Sequence, residues 1–154
     1  MAYDFEAIGE LFAAEAVWIG DGRTRTRLAG VEIEVDNPLE VSPLESSGRV
    51  TWPEQVFPAA LAACMITTLT SINKKMRVPI EGLRVRVKPI LGLDEDGGFK
   101  FERMIITVTI RVGREHHAKA ERLVQLAHKY CLISKAIKGN VEEEIRTVFE
   151  PTTS

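Results

Sequence analysis

Cysteine is scarce in this 154-residue chain, which has two, Cys64 and Cys131. Their spacing is neither that of a zinc site nor that of a Cys-x-x-Cys redox motif. Aromatic residues make up only 6 % of the chain, too few for a surface on which successive bases stack. The net charge is −2, so no global field draws the chain to nucleic acid or to anionic lipid. No apolar stretch reaches the ~18 residues expected of a membrane span. The N-terminus, Met1-Ala2-Tyr3-Asp4-Phe5-Glu6, carries acids where a signal peptide has a basic start and an apolar core. These absences predict a cytoplasmic protein with neither nucleic-acid nor membrane partner. In that compartment thiols stay reduced, so a Cys64–Cys131 bond is expected to be transient and catalytic rather than structural.

With 45 % apolar and 27 % charged residues, the chain has the balance of a globular protein able to bury a core. A single domain over 1–154 is expected, with 1–13 as an N-terminal extension. There Tyr3, Phe5, Ile8, Leu11 and Phe12 form one rough helical stripe. Period-two patterning then marks strands at 16–19, 23–28 and 31–35, with Gly20-Asp21-Gly22 as a turn. It sets Arg23, Arg25 and Arg27 on one face, which most simply is a solvated strand face. Residues 37–51 hold two Pro and three Ser and read as a loop.

Pro53 suits a helix N-terminus, and a helix is predicted from there to about Met76. Pro58 inside it costs about 3 kcal/mol, which predicts a bend or a broken first turn. After Pro79, alternation returns on both sides of Asp94-Glu95-Asp96-Gly97-Gly98, a long hairpin. A helix at about 115–130, a short one at 132–137 and a strand from Val141 to Phe149 complete the chain. The order predicts an α+β fold, with antiparallel sheets around a long central helix. That helix is apolar enough to need cover on most sides, from two sheets or a partner subunit, and a homodimer is the expectation.

Two segments carry a family resemblance. Pro53-Glu54-Gln55-Val56-Phe57-Pro58-Ala59-Ala60-Leu61-Ala62-Ala63-Cys64 resembles the first-cysteine motif of the OsmC/Ohr family, the osmotically inducible and organic hydroperoxide resistance proteins. Ala127-His128-Lys129-Tyr130-Cys131-Leu132-Ile133-Ser134 resembles its second motif, usually Cys-Pro-x-Ser. Three residues depart from the pattern: Trp52 where Asn is common, Pro58 within the helix, and Leu132 in place of the Pro after the second cysteine. The resemblance implies an intertwined homodimeric peroxidase acting on organic hydroperoxides without a cofactor or metal. It implies a peroxidatic Cys64, a resolving Cys131, and Glu54 with Arg23 (or Arg25) orienting and activating the thiolate. It also implies an external dithiol reductant, in some relatives a dihydrolipoyl protein. A non-catalytic small-molecule-binding or structural member of the family, having lost peroxidase activity, is the alternative.

The chemistry needs these residue types. A thiolate, not a thiol, attacks peroxide oxygen, and a guanidinium beside the sulfur favours the charged form. A carboxylate by itself raises a thiol pKa, so Glu54 is better used to hold the arginine in a fork geometry. Ten residues of straight helix rise about 15 Å, too far for Glu54 and Cys64 to share one arginine. A bend at Pro58, a Glu54 in a preceding turn, or a member supplied by a partner subunit each resolves this, and a site at a dimer interface is preferred. Phe57, Leu61, Met65 and Trp52 are expected to line the site for an alkyl substrate. His116-His117 face different sides of a helix and read as solvated surface. His128, three residues before Cys131, reads as a surface or packed histidine.

Overall fold

In a computed structural model the described residues are 4–20, 23–35 and 51–153. They form two compact units, 1–56 and 57–154, the division falling in the first turn of the long helix. Tyr3, the turn residues Asp21 and Gly22, and nearly all of the expected 37–51 loop lie outside the described residues.

In the first unit, helix α1 (Phe5–Leu11) precedes three strands, β1 (Glu15–Gly20), β2 (Arg23–Leu28) and β3 (Val31–Val35). The Asp4 carboxylate accepts from the Ala7 amide at 3.0 Å, an N-cap that satisfies one orphan donor. The strands make one antiparallel sheet in the order β1-β2-β3. Gly20 ends β1 at φ 106°, a conformation that favours glycine. Register sets Arg25 opposite Glu34 and Arg27 opposite Glu32. The arginine face expected from alternation is therefore a cross-strand ion-pair ladder. With both partners about half exposed, each pair contributes about 0–1 kcal/mol.

Helix α2 runs unbroken from Pro53 to Met76. The structure thus differs from the broken first turn expected at Pro58. Proline removes one i→i−4 bond, here one near the helix start, and its ring is buried. Within the second unit α2 buries Leu61, Met65 and Leu69, spaced one turn apart. Its other face is small and hydroxylated: Ala59, Ala60, Ala63, Thr67 and Thr70 are exposed. Thr67 and Thr70 donate to the carbonyls of Cys64 and Ile66, at 3.1 and 2.9 Å. Averaged over an 18-residue window the helix has mean hydropathy 1.5, so by length and composition alone it is apolar enough to cross a membrane. No unbroken apolar run within it reaches the ~18 residues named above, so that expectation stands beside this average. Alanines between the core positions raise the average while the threonines satisfy their own hydroxyls on the helix backbone.

β4 (Gly82–Leu93) and β5 (Phe99–Arg111) form the expected hairpin. Its turn is tied by Asp94, whose carboxylate accepts from the amides of Asp96 and Gly98. A 3₁₀ turn (Arg114–His116) leads into α3 (His117–Tyr130), then α4 (Leu132–Ile137) and β6 (Glu142–Glu150). The sheet order is β4-β5-β6, and β6 runs parallel to β5. The sheet is mixed rather than purely antiparallel, because the α3–α4 crossover returns the chain to the end at which β5 began. Met104, Ile106, Val108 and Ile110 alternate along β5 and are fully buried. They form the floor of the core. Leu61, Met65 and Leu69 of α2 and Ala120, Leu123, Val124 and Ala127 of α3 complete it, with Cys131 in the same cluster.

Past α2 the chain turns through Arg77, a non-glycine residue at φ 55°. Asn73 closes this turn, accepting from the Val78 amide at 2.8 Å and donating to the Val78 carbonyl at 2.9 Å. Left-handed backbone costs a side-chain-bearing residue about 1–2 kcal/mol. Arg77→Gly is therefore expected to raise stability to urea by about 1 kcal/mol. Asn73→Ala, which orphans both Val78 groups, is expected to lower it by about 1–3 kcal/mol.

Candidate functional site

Cys64 sits at the middle of α2, one position before the buried Met65, and is half-buried. Cys131 joins α3 to α4, as the C-cap of one and the N-cap of the other, and is fully buried in the core. Cys64 packs against the core cluster that contains Cys131, and each thiol bears on the other's ionisation. Both are free thiols.

The two thiols are shifted in opposite directions. Burial opposes ionisation of Cys64, but several donors outweigh it: the Ile133 amide, the Cys131 thiol, the Thr68 hydroxyl and the Leu132 amide. The net effect holds the Cys64 thiol below its ordinary range. Thr68, one helical turn on, has its Oγ1 4.0 Å from the Cys64 sulfur. Burial also raises Cys131, and there it prevails. The Ser134 amide and hydroxyl soften the effect, while the neighbouring Cys64 sulfur reinforces it. The opposed directions favour Cys64 over Cys131 as the thiol that carries the charge.

Leu132 matters here for its backbone. Proline, usual at this place in the resembled motif, has no N–H to offer, whereas Leu132 contributes one to the Cys64 sulfur. Sequence reading noted the substitution but not this consequence. Nor did it find Thr68, although the i, i+4 spacing from Cys64 was there to be used. The amide of Ile133 carries no sequence signal at all.

The other expected residues stand as follows. Glu54 lies within the first turn of α2, exposed, rather than in a turn ahead of the helix. Arg23 and Arg25 lie on β2 and pair with Glu34, at 3.9 and 3.4 Å. Leu61 and Met65, expected as substrate lining, are fully buried core residues, because their spacing with Leu69 turns them to β5. Phe57 is partly buried and stacks on Phe101, ring centres 5.2 Å apart. Trp52 is buried. Of the histidines, His117 stacks on Phe149, and His128 hydrogen-bonds Glu143. Among the described residues no cluster of His, Cys, Asp or Glu is arranged to hold a metal ion.

The second unit is thus a mixed three-stranded sheet packed with a long helix, carrying two free thiols shifted in opposite directions. The family model for OsmC-like protein matches residues 46–146, and the chain belongs to that family. It is 35 % identical over 95 residues to the organic hydroperoxide resistance protein OhrB of Bacillus subtilis, covering 62 % of this chain and 68 % of that one. It is 27 % identical over 135 residues to an organic hydroperoxide resistance protein of Xanthomonas axonopodis pv. citri, covering 86 % and 91 %. Among solved structures, the Bacillus subtilis OhrB superposes with TM-score 0.64 at 30 % identity, over 89 % of this chain and 98 % of that one. An organic hydroperoxide resistance protein from Elizabethkingia anophelis superposes with TM-score 0.74 at 24 % identity, over 90 % and 95 %.

The opposed shifts have a direct readout. Iodoacetamide alkylation followed by peptide mass analysis is expected to label Cys64 well before Cys131, with a pH midpoint below that of a free thiol. Leu132→Pro removes one donor and is expected to move the Cys64 midpoint upward. An unchanged midpoint would show that the Leu132 amide contributes nothing to the anion.

Proposed function

We propose that this chain is a thiol-dependent peroxidase that reduces organic hydroperoxides through Cys64 and Cys131. The observation that supports it most is the packing of Cys64 against the cluster that holds Cys131, with the two thiols shifted in opposite directions. A lowered pKa supplies the nucleophile, and a raised one keeps the second thiol protonated until it is needed.

In the first step the Cys64 thiolate attacks a peroxide oxygen. The S–O bond forms, the O–O bond breaks, and the alkoxide leaves and takes up a proton to become an alcohol. In the second, the Cys131 sulfur attacks the Cys64 sulfenic acid, forming the disulfide and releasing water. An external dithiol then restores both thiols by exchange through a mixed disulfide. The donors around Cys64 fit the first step by raising the fraction present as thiolate, the species that attacks.

Family resemblance assigns the remaining roles. Arg23, with Arg25 as the alternative, pairs with the thiolate and stabilises the leaving alkoxide. Glu54 holds that guanidinium. A homodimer, in which the partner subunit supplies one member of the site, reconciles Glu54 with its ten-residue separation from Cys64 along α2. The names of the relatives support an organic hydroperoxide as substrate. A cytoplasmic setting, which keeps both thiols reduced between turnovers, belongs to the same reading.

Steady-state reduction of cumene or t-butyl hydroperoxide with a dithiol is expected to fall to background in Cys64→Ser. Cys131→Ser is expected to consume one equivalent of peroxide and stop with Cys64 oxidised, trapped as a dimedone adduct. Full turnover by Cys64→Ser would overturn the assignment. An unchanged intact mass of the native protein after one equivalent of peroxide would favour a non-catalytic binding role.

A further inference from the structure

Charge is unevenly spread along α3 and α4. From Arg122 to Val141 the chain carries Arg122, Lys129, Lys135 and Lys138 and no acid, although acids outnumber bases by 22 to 20 overall. A solvated helix face is ordinarily steadied by opposite charges one turn apart. Here three of the cations, Lys129, Lys135 and Lys138, come to one concave place, an open groove of 460 Å³ that Tyr130 also lines. Lys129 belongs to the last turn of α3, Lys135 to the last turn of α4, and Lys138 is the C-cap of α4. No single helix face carries all three, so the grouping exists only because the two helices meet at an angle set by the break at Cys131.

Two of these lysines are held in place. The ammonium groups of Lys129 and Lys135 each lie 5.5 Å from the centre of the Tyr130 ring, within cation–π range. Lysines fixed on a ring lose less side-chain freedom on binding than lysines loose in solvent. None of the three forms an ion pair with a described residue. One acid, Glu143, lines the groove. Its side chain is 9 % exposed, and both its oxygens have other partners. Oε1 accepts from the Ser134 hydroxyl at 2.7 Å, and Oε2 is 3.1 Å from Nε2 of His128. Glu144 pairs with Arg103 and Arg146, and Glu142 does not line the groove. Three cations thus face one anion that is already engaged, and the groove carries uncancelled positive charge.

We propose that this groove is a binding site for a small phosphate-bearing anion, gripped by Lys129, Lys135 and Lys138. An ammonium group binds phosphate as a point charge with three donors and needs no fork geometry. A phosphate group has both the charge and the acceptor oxygens to meet several ammonium groups at once, which a single carboxylate or a chloride ion has not. The volume lies in the range of about 300–1,000 Å³ usual for small-molecule sites, so it leaves room for the organic body of a phosphate ester or for a diphosphate. A concave site of this size suits such a ligand better than the broad face of a protein. Glu143, held back by Ser134 and His128, sets the inner limit of the groove and keeps the anion to its lysine side. Binding there requires no peroxide chemistry and is read without it.

Pyrophosphate is the probe, titrated into the reduced full-length protein at low salt and followed by amide NMR. Citrate is titrated in parallel, with sodium chloride of matched ionic strength as the blank. Saturable shifts are expected among the amides of 128–138, with binding that weakens as salt rises. Lys129→Gln, Lys135→Gln and Lys138→Gln are each expected to raise the pyrophosphate Kd about tenfold or more, through loss of one charge-assisted contact. The triple variant is expected to abolish binding, and Lys135→Arg, which keeps the charge, to retain it. All three side chains are exposed, so an amide spectrum unchanged outside the groove is expected to show that the fold is kept. Lys74→Gln with Lys75→Gln removes two exposed charges at the end of α2 and is expected to leave the Kd as it was. Absence of saturable pyrophosphate binding overturns the site. So does an equal loss in the Lys74 and Lys75 double variant, which reports diffuse attraction. Saturation by citrate without pyrophosphate reports a carboxylate site and overturns the phosphate assignment.

Discussion

Two thiols packed at one core cluster impose the constraint on which the rest turns. Neighbouring anions repel, so ionisation of one opposes ionisation of the other. Which one ionises is decided by donors. Cys64 receives two backbone amides from the start of α4 along with the Cys131 thiol and the Thr68 hydroxyl, whereas Cys131 faces an anion from within the hydrocarbon core. The asymmetry arises from where each stands. Cys64 is partway around α2 from the buried Leu61–Met65–Leu69 stripe, and Cys131 is inside the cluster itself.

The remaining architecture of the second unit serves that placement. β5 gives a fully apolar floor through Met104, Ile106, Val108 and Ile110, onto which α2 and α3 each lay a stripe spaced at a helical turn. Because β6 runs parallel to β5, the chain has to cross over between them, and α3 and α4 are that crossover. The break between the two helices falls at Cys131, where extended backbone (φ −63°, ψ 121°) leaves the first amides of α4 free of intrahelical partners. Those amides are the ones that face Cys64. A helix interruption that would otherwise leave orphan donors is thereby turned into an anion-stabilising contact. At Leu132 the sequence keeps an N–H where the resembled motif has a proline, so this chain has one more donor than that motif provides.

Much of the secondary structure was legible in the pattern of residues. The alternation of Arg23, Arg25 and Arg27, the Asp94–Gly98 turn, and the stripe in α3 each led to the element observed. The misreadings share a cause, which is that a local rule was applied where the surroundings decide. Pro58 was expected to bend the helix or break its first turn, and the helix runs unbroken through it, with the proline near the helix start and buried. Leu61 and Met65 were expected to line a substrate site because they neighbour Cys64 in sequence, but helical geometry turns them to β5. His128 stands within the expectation of a surface or packed histidine, and β6 supplies the Glu143 it meets.

The amino-acid order alone determined that one thiol lies in a long helix and the other at the end of a later one, that a long hairpin separates them, and that an α+β chain results. These follow from periodicity and turn chemistry, which act over a few residues at a time. That Cys131 falls between two helices rather than inside one was not legible. Only the tertiary structure decided that Cys64 packs against the cluster holding Cys131, that the two thiols are shifted in opposite directions, and that Ser134 and His128 meet on the Glu143 carboxylate. Each of those depends on α2, α3, α4 and β6 settling against one another, and no local pattern encodes contacts between side chains so far apart along the chain.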